Sequence, residues 1–461
     1  MLEVPLHHED PGLGTLDVAV ARVRSADPET RIGSLVFNPG GPGGSGVEFL
    51  AQVALLMPPG VADRFDLVGF DPRGVGASTA VTCDVELDES VALVAAGDDA
   101  AYAALVDQQA ADLAACTDET FDVAPYLGTN NAARDLDLLR DALGDDGLSY
   151  VGYSYGTRLG ATYAELFPER VRALVLDAAV KPTTDPIELD LGQAEGFDRA
   201  LRNFADACDD DPDCLLRELG PTLDVVDGLR REIAEVGSFP TDDGDRILTP
   251  GELDYGIIAA LYSKDAWPFL AQALFTAEVD QDGTLLQVLG DGLIGRRADG
   301  TYDNSSVANT FINCADTDDR PDADRVRADA EMVAARSEFF SDALRASTGC
   351  LGLPETDEPL TLGAAPEAPP ILVIGNTGDP ATPYEWSVEL AEFLESGVLY
   401  TVEAEGHTAF GSIPCVTQPV VDYLVQLTVP DSGASCSDNA SADFFVPEGD
   451  SEVDRILALL D

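Results

Sequence analysis

The first two hundred residues alternate between short apolar runs and longer amphipathic stretches, a pattern typical of strands followed by helices. The runs that predict strands are residues 16–23, 34–38, 65–70, 148–153 and 171–177. The stretches that predict helices are residues 47–56, 100–116, 131–143 and 155–167. Several runs are apolar throughout, as expected for strands buried on both faces of a sheet. The pattern therefore predicts an α/β fold built on a mostly parallel sheet.

This alternation is interrupted after Lys181. The chain then consists mainly of amphipathic helical stretches and acidic loops, until a proline-rich segment at 366–370 precedes new apolar runs at 371–375 and 398–402. Because these runs predict strands, the α/β pattern resumes after the helical region. We therefore predict a core formed by residues 1–180 and 361–461, with a helical cap over residues 181–360 inserted into it.

The charge of the chain narrows the class of possible partners. The sequence holds 85 acidic residues against 26 lysines and arginines, which gives a formal net charge of −59. Nucleic acids and anionic membrane surfaces are bound by basic faces, so neither is expected as a partner. No apolar run reaches the ~20 residues of a membrane span. We expect a self-repelling surface on a monomer or a small homo-oligomer.

Eight cysteines indicate the compartment in which the protein works. None forms a C-x-x-C pair, and with three histidines no zinc-type cluster is visible, so no metal is expected. We predict four disulfides between consecutive cysteines, 83–116, 208–214, 314–350 and 415–436, which close only short loops. The chain starts without an apolar leader, so either it is cytosolic with reduced cysteines or its leader is absent from this sequence. The even cysteine count favours a secreted, extracellular protein.

Residues 152–156 spell Gly-Tyr-Ser-Tyr-Gly, a G-x-S-x-G motif between a predicted strand and a predicted helix. A nucleophile elbow requires this setting, because its serine lies on a sharp strand-to-helix turn and its glycines let strand and helix approach closely. The motif alone is common, and a purely structural turn is the alternative interpretation. The strand–turn–helix setting favours Ser154 as a nucleophile.

A nucleophilic Ser154 needs a general base, and the chain has three histidines. His7 and His8 lie in the first extended segment, whereas His407 follows the last predicted strand, so His407 is the candidate base. Asp379 directly follows the strand before it and is the candidate acid that orients the histidine. The chain order serine, aspartate, histidine is that of α/β-hydrolases, rather than that of chymotrypsin or subtilisin.

The glycine-rich segment 38–46 follows another predicted strand and can present bare amides to a developing oxyanion. We expect the amide of Tyr155 to supply one donor of an oxyanion hole, and that of Gly41 or Gly40 to supply the other. The segment also contains G-x-G-x-x-G, a dinucleotide fingerprint. That alternative leaves the order of the triad unexplained, and Pro42 removes one amide, so no cofactor is expected.

Together these residues resemble the secreted tripeptidyl-aminopeptidase-like α/β-hydrolases, actinobacterial relatives of proline iminopeptidase. The resemblance runs from Val4 to about Cys436. It rests on segment 38–46, the turn 71–76 with Ser78 and Cys83, the elbow with Thr157 and Arg158, Asp379-Pro380 with Thr382-Pro383, and Gly406-His407. The resemblance implies an α/β-hydrolase fold with a helical cap. It also implies a serine exopeptidase that releases short peptides, above all tripeptides, or single residues from free N-termini through an acyl-enzyme.

Such an enzyme must recognise a free α-ammonium group, normally with carboxylates of the cap. Asp316 is the candidate, because a disulfide at Cys314 would hold it in place, and a solvated surface acid is the alternative interpretation. Two other functions stay open. The family includes members described as esterases, so a carboxylesterase on the same triad is one, and a non-catalytic binding protein on the hydrolase scaffold is the other. The turn 71–76 is interpreted as structural, with Arg73 tying loops together beneath the site.

Overall fold

A computed structural model describes residues 1–83, 107–108, 116, 118–244, 246–297, 299–340, 350–356, 358–438 and 444 of the chain. Most of the helix predicted over residues 100–116 lies outside these residues. Within the described ranges no helix is both long and apolar enough to cross a membrane.

The strands of this part of the chain are β1 (Leu2–Pro5), β2 (Thr15–Val18), β3 (Val20–Val23), β4 (Gly33–Asn38), β5 (Phe65–Phe70), β6 (Leu148–Tyr153), β7 (Val171–Asp177), β8 (Phe239–Pro240), β9 (Ile247–Leu248), β10 (Ile371–Gly378), β11 (Gly397–Glu405) and β12 (Ser435–Ser437). Its α-helices are α1 (Gly46–Leu56), α2 (Pro59–Ala62), α3 (Asp118–Val123), α4 (Thr129–Leu143), α5 (Tyr155–Leu166), α6 (Pro186–Asp210), α7 (Thr222–Val236), α8 (Pro250–Leu261), α9 (Trp267–Asp280), α10 (Thr284–Ile294), α11 (Ser305–Ala315), α12 (Ala323–Ala334), α13 (Tyr384–Phe393) and α14 (Pro414–Gln426).

The centre of the fold is an eight-stranded sheet in the order β12-β11-β10-β7-β6-β4-β5-β3. Its neighbours run parallel, except that β3 lies antiparallel to β5. Every residue of β4, β5 and β6 is buried, because helices cover both faces of the sheet. The predicted α/β class and the mostly parallel sheet are confirmed.

The strand predicted over residues 16–23 is wrong in one respect, since it divides into β2 and β3 at Ala19. The amide of Ala19 donates to the Ser78 hydroxyl, and its carbonyl accepts from the Asp71 amide. Both backbone groups of Ala19 therefore bond to the turn after β5 and not to a neighbouring strand. As a result β2 pairs with β1 in a separate two-stranded sheet, and only β3 joins the central one.

The sheet is discontinuous in sequence. Strand β7 ends at Asp177, and its neighbour β10 begins at Ile371, with Leu372 paired to Val175. The helices α6 to α12 occupy the chain between them, with a small β8–β9 hairpin that the sequence pattern did not predict. These helices have a hydrophobic core of their own, which includes Leu229, Ile257, Leu270, Leu274 and Leu286. A cap inserted into the core agrees with this topology, while the bounds 181–360 stay a prediction.

All eight cysteines form the disulfides predicted from their order, Cys83–Cys116, Cys208–Cys214, Cys314–Cys350 and Cys415–Cys436. The structural interpretation of Arg73 is also supported. Its guanidinium is fully buried and donates to the Asp135 carboxylate and to the carbonyls of Pro5, Leu6 and Tyr126. Arg73 thus joins the N-terminal segment to the loops below the carboxyl edge of the sheet.

Candidate active site

The predicted elbow is a tight strand-to-helix turn. Strand β6 ends at Tyr153, helix α5 begins at Tyr155, and Ser154 between them has φ +54° and ψ −123°. A non-glycine residue seldom adopts a positive φ, and such strain is characteristic of functional turns. A Cβ built on Gly152 would lie 2.3 Å from the Gly156 carbonyl oxygen. The two ends of the turn are therefore too close to each other for a side chain at residue 152.

The predicted acid and base form a hydrogen-bonded pair. Nδ1 of His407 lies 3.0 Å from Oδ1 and 2.9 Å from Oδ2 of Asp379. Asp379 is fully buried and also accepts hydrogen bonds from the amides of Ala381 and Thr382 and from the Thr382 hydroxyl. These bonds fix the carboxylate, and the carboxylate in turn fixes which imidazole nitrogen carries the proton. Nε2 of His407 is therefore the nitrogen left to act as a base.

The electrostatic environment raises the pKa of His407. Burial alone would lower this pKa, because a buried imidazolium loses its hydration. The charge of Asp379, its hydrogen bond to the ring, and the charge of Asp177 outweigh burial. The imidazolium that forms when the histidine takes a proton is thus stabilised within the site.

Asp177 links the serine to the histidine and was missed by sequence reasoning. The Ser154 amide donates to the Asp177 carbonyl oxygen at 3.0 Å. The Asp177 carboxylate accepts from the amides of Ala409 and Phe410, just beyond His407. One buried residue therefore holds both the elbow and the histidine loop. The available signal was an aspartate ending an apolar strand, at the same edge of the sheet as the triad.

The turn at Ser154 and the loop after His407 both bond to Asp177, although the side chains of Ser154 and His407 are not hydrogen-bonded to each other. Among the hydrogen bonds of the described residues, none joins Ser154 Oγ to His407. Catalytic hydrogen bonds are often long in the absence of substrate and shorten in the reacting complex.

The charge of Asp177 is itself sensitive to its surroundings. Burial raises the pKa of Asp177 to about 6, against the opposing effects of the Phe410 and Ala409 amides and of His407. The nearby charge of Asp379 adds to the upward shift. The carboxylate of Asp177 and the imidazolium of His407 thus stabilise each other.

The glycine-rich segment lies directly against the elbow. A Cβ built on Gly40 would lie 2.6 Å from the Tyr153 carbonyl oxygen and 2.8 Å from Ser154 Cβ. The Gly40 amide donates to the Asn38 side chain at 3.0 Å, so it is already engaged. Gly41 lines the same cavity as Ser154 and Tyr155, which favours Gly41 of the two alternatives.

A cavity of about 370 Å³ opens beside Ser154 between the core and the cap. Its core side includes Gly41, Tyr155, Arg158 and Thr382. Its cap side includes Asp190, Tyr262, Asn309, Asn313 and Asp316. Ser154, the predicted nucleophile, is therefore reached through a space between the core and the cap.

The cap also contacts the residues predicted to be catalytic and the glycine-rich segment, and sequence reasoning missed these contacts. The Tyr262 carbonyl accepts from the His407 amide at 2.7 Å, and the Tyr262 ring lies edge-on to the imidazole with centroids 5.3 Å apart. Arg199 donates to the Asp379 carbonyl oxygen at 2.7 Å. Asn309 donates to the Pro42 carbonyl oxygen at 3.0 Å, within the glycine-rich segment.

Asp316 lies in the wall of this cavity, as predicted, but its oxygens are already engaged. One accepts from the Thr129 amide and the other from the Thr129 hydroxyl, both at 2.6 Å. The same hydroxyl lies 2.6 Å from the Tyr155 phenol oxygen. Burial raises the pKa of Asp316, and the charge of Arg158 opposes that shift. The amine-binding role of Asp316 stays a prediction, and these contacts give it a structural role between cap and core.

Comparisons with known sequences agree with this geometry. Residues 33–223 match the family described as alpha/beta hydrolase fold, and residues 337–436 match the family described as TAP-like protein. The chain is 38% identical over 453 residues to serine protease Hip1 of Mycobacterium tuberculosis, covering 94% of this chain and 86% of that protein. It is 37% identical to carboxylesterase B of the same species, covering 95% and 85%. It is 29% identical to tripeptidyl aminopeptidase of Streptomyces lividans, covering 95% and 83%.

Proposed function

The chain belongs to the TAP-like family of α/β-hydrolases, and we propose that it is a serine exopeptidase acting on peptides with a free N-terminus. The observation that carries the proposal is the Asp379–His407 pair, set at the same sheet edge as the strained Ser154 elbow and tied to it through Asp177. Relatives named serine protease and tripeptidyl aminopeptidase support peptides as the substrate class.

The proposed reaction is acyl transfer through the serine. His407 Nε2 takes the proton of Ser154 Oγ as the oxygen attacks the scissile carbonyl, and Asp379 stabilises the resulting imidazolium. The amides of Gly41 and Tyr155 stabilise the tetrahedral oxyanion. The imidazolium then donates its proton to the leaving amine, and an ester links the acyl group to Ser154. Water, deprotonated by His407, hydrolyses this ester and frees the serine.

Cleavage near a chain end follows from the position of the cavity. The cap encloses the space beside Ser154, with Tyr262 and Asn309 on one side and Gly41 on the other. A long chain running through the site in both directions would meet the cap, whereas a chain end enters without that conflict. Release of short peptides, tripeptides among them, agrees with this arrangement and with the name of the Streptomyces relative.

A carboxylesterase is the second candidate, because one relative at 37% identity carries that name. An ester needs the same nucleophile, base and oxyanion hole, and it does not need an ammonium site. The distinction between the two functions therefore lies in the cavity and not in the triad.

The test combines a covalent probe with a substrate panel. A fluorophosphonate should label the wild-type protein at Ser154, and Ser154→Ala should abolish labelling and lower kcat by about 10⁴-fold or more, with an unchanged fold by circular dichroism. Peptide anilides and short acyl esters are then compared by kcat/KM. Hydrolysis of acyl esters without hydrolysis of any free-amine peptide anilide would replace the exopeptidase by the esterase, and full hydrolysis by Ser154→Ala would overturn both.

We also propose that the protein works outside the cytosol. Four disulfides are expected to persist in an oxidising compartment. Fractionation of the producing cells, with thiol labelling of each fraction, tests this. An intracellular protein with reactive thiols would contradict it.

A further inference from the structure

A second carboxylate lies in the cavity wall, and the proposed mechanism does not use it. Asp190 lies on α6 and lines the same cavity as Ser154. Most of its surface is withdrawn from solvent. In the described part of the chain, no hydrogen bond or ion pair to Asp190 is present. An unpaired carboxylate in a cavity wall has free capacity to accept hydrogen bonds and a cation.

This state contrasts with that of Asp316 across the same cavity. Both oxygens of Asp316 accept hydrogen bonds from Thr129, and Arg158 is near enough to stabilise its charge. Asp190 has no such support. Of these two cavity carboxylates, Asp190 is therefore the one left available to a ligand.

Two acids, Asp185 and Asp329, repel the charge of Asp190, and each has a partner of its own. Asp185, at the start of the same helix, accepts a hydrogen bond from the Ile187 amide. Asp329, on α12, forms an ion pair with Arg325 at 2.8 Å. Burial and the repulsion of Asp329 and Asp185 raise the pKa of Asp190 to about 7. A cation entering the cavity would relieve this repulsion and would favour the charged form of Asp190.

The helix that carries Asp190 is fixed against the catalytic half of the molecule. A Cβ built on Gly192 would lie 2.4 Å from Cζ2 of Trp386, and one built on Gly196 would lie 2.2 Å from the Pro380 carbonyl oxygen. This close contact places α6 directly on the loop of the catalytic acid. The backbone that carries Asp190 is thus fixed before a ligand arrives, which limits the entropy lost on binding.

We propose that Asp190 is a cation-binding subsite, which takes a positively charged group of the substrate. Two sources provide this chemistry, namely the N-terminal ammonium group and a lysine or arginine side chain. A carboxylate discriminates strongly for a cation in such a position, because a neutral ligand leaves the buried charge unpaired. The inference rests on the proposed function only for the statement that the ligand is a substrate.

The test uses Asp190→Asn beside Asp206→Asn, a control on the exposed part of the same helix. Four peptide anilides separate the N-terminal ammonium group from a cationic side chain as the ligand. Their N-terminus is free or acetylated, and one side chain is lysine or norleucine. We expect Asp190→Asn to lower kcat/KM at least tenfold for one class of cationic peptide, and less than twofold for the acetylated norleucine peptide. Asp206→Asn should leave all four values unchanged. Equal losses on the neutral and cationic peptides would overturn the proposal.

The pH dependence provides a separate check. Protonation removes the charge of Asp190, so the preference for cationic over neutral peptides should fall as the pH drops through about 7. The titration of His407 affects both peptides alike and cancels in their ratio. In Asp190→Asn this ratio should not change with pH. A ratio that titrates identically in both proteins would contradict the proposal.

Binding without catalysis separates this inference from the proposed function. Ser154→Ala and the double variant Ser154→Ala/Asp190→Asn are titrated calorimetrically with the same free and acetylated peptides as amides. If the double variant binds the cationic peptide more weakly than Ser154→Ala does, and both variants bind the acetylated peptide equally, the subsite is supported. This result does not depend on whether Ser154 is the nucleophile. Asp190→Asn should also raise Tm above pH 7, because it removes an unpaired charge. A lower Tm with equal loss of affinity for all peptides would show a structural role and overturn the proposal.

Discussion

The core and the cap contribute to the site in different ways. The core supplies the groups proposed to react, Ser154, His407, Asp379 and the Gly41 amide. The cap supplies contacts to the parts that carry them: Tyr262 to the histidine, Arg199 to the acid and Asn309 to the glycine-rich segment. A cap of this kind does more than enclose a substrate. We expect it also to fix the geometry of the groups proposed to react, so its residues should affect kcat and not only KM.

Among the residues that position the reacting groups, the largest effect is expected on the core side, at Asp177. Asp177→Asn removes the negative charge, and it replaces one of the two oxygens that accept from the Ala409 and Phe410 amides by an NH2 group, which can only donate. We expect a loss of about 2 kcal/mol in the free energy of unfolding and a fall of roughly 10- to 100-fold in kcat, because the histidine loop is released.

The pH profile distinguishes this positioning role from mere loss of stability. The charge of Asp177 raises the pKa of His407, so its removal should shift the acid limb of kcat/KM to lower pH. Asp137→Asn is the matched control, since Asp137 is a buried aspartate bonded to Arg140 and Tyr163 on α4 and α5. It should lower Tm and leave the acid limb in place. An equal shift of the acid limb in Asp177→Asn and Asp137→Asn would contradict a specific role of Asp177 in positioning His407.

A smaller effect is expected on the cap side, at Tyr262. Tyr262→Ala keeps the main-chain carbonyl that accepts from the His407 amide, but removes the ring that packs against the imidazole. We expect kcat to fall up to about tenfold, because an aromatic contact contributes roughly 0.5 to 1.5 kcal/mol. Tyr262→Phe keeps the ring and should stay within about twofold of wild type. Steady-state kinetics on one peptide anilide measure both, and an unchanged kcat in Tyr262→Ala would limit the cap to binding.

The smallest effect is expected at Asn309. Asn309→Ala removes the hydrogen bond to the Pro42 carbonyl, a neutral bond worth about 1 kcal/mol, so kcat should fall about two- to fivefold. Asn304→Ala is the matched control, because Asn304 joins the same helix to the core at Gly74 and Val81, away from the elbow. It should lower Tm without changing kcat. A larger fall in kcat for Asn304→Ala than for Asn309→Ala would contradict this assignment.

The contrast between core and cap also explains what the sequence could predict. Strands β5, β6 and β7 match their predicted bounds, because they are apolar runs of strand length that end at turns. The motif residues follow the carboxyl ends of β4, β6, β10 and β11, where parallel topology brings them together. The pairing of Asp379 with His407 therefore followed from strand order and residue type.

The contributions of the cap carry no comparable local signal. Tyr262 acts partly through a backbone carbonyl, which every residue possesses, and Asn309 contacts a loop 267 residues away in sequence. Asp190 and Asp316 are two acids among 85, and only their partners distinguish them. Sequence reasoning could place an acid in the cap. It could not tell the acid that is already hydrogen-bonded from the one that is free.

The connectivity of the disulfides has a consequence for the order of events during synthesis. Each bridge joins cysteines 6 to 36 residues apart, and none connects the cap to the core or one half of the core to the other. The two halves of the central sheet, in contrast, meet only when β10 pairs with β7, after the whole insertion has emerged. The three bridges that end by Cys350 can form before β10 is available, whereas Cys436 lies in β12, the last strand of the sheet. Oxidation of the first six cysteines therefore does not depend on closure of the core, and the two halves of the core meet with no disulfide between them.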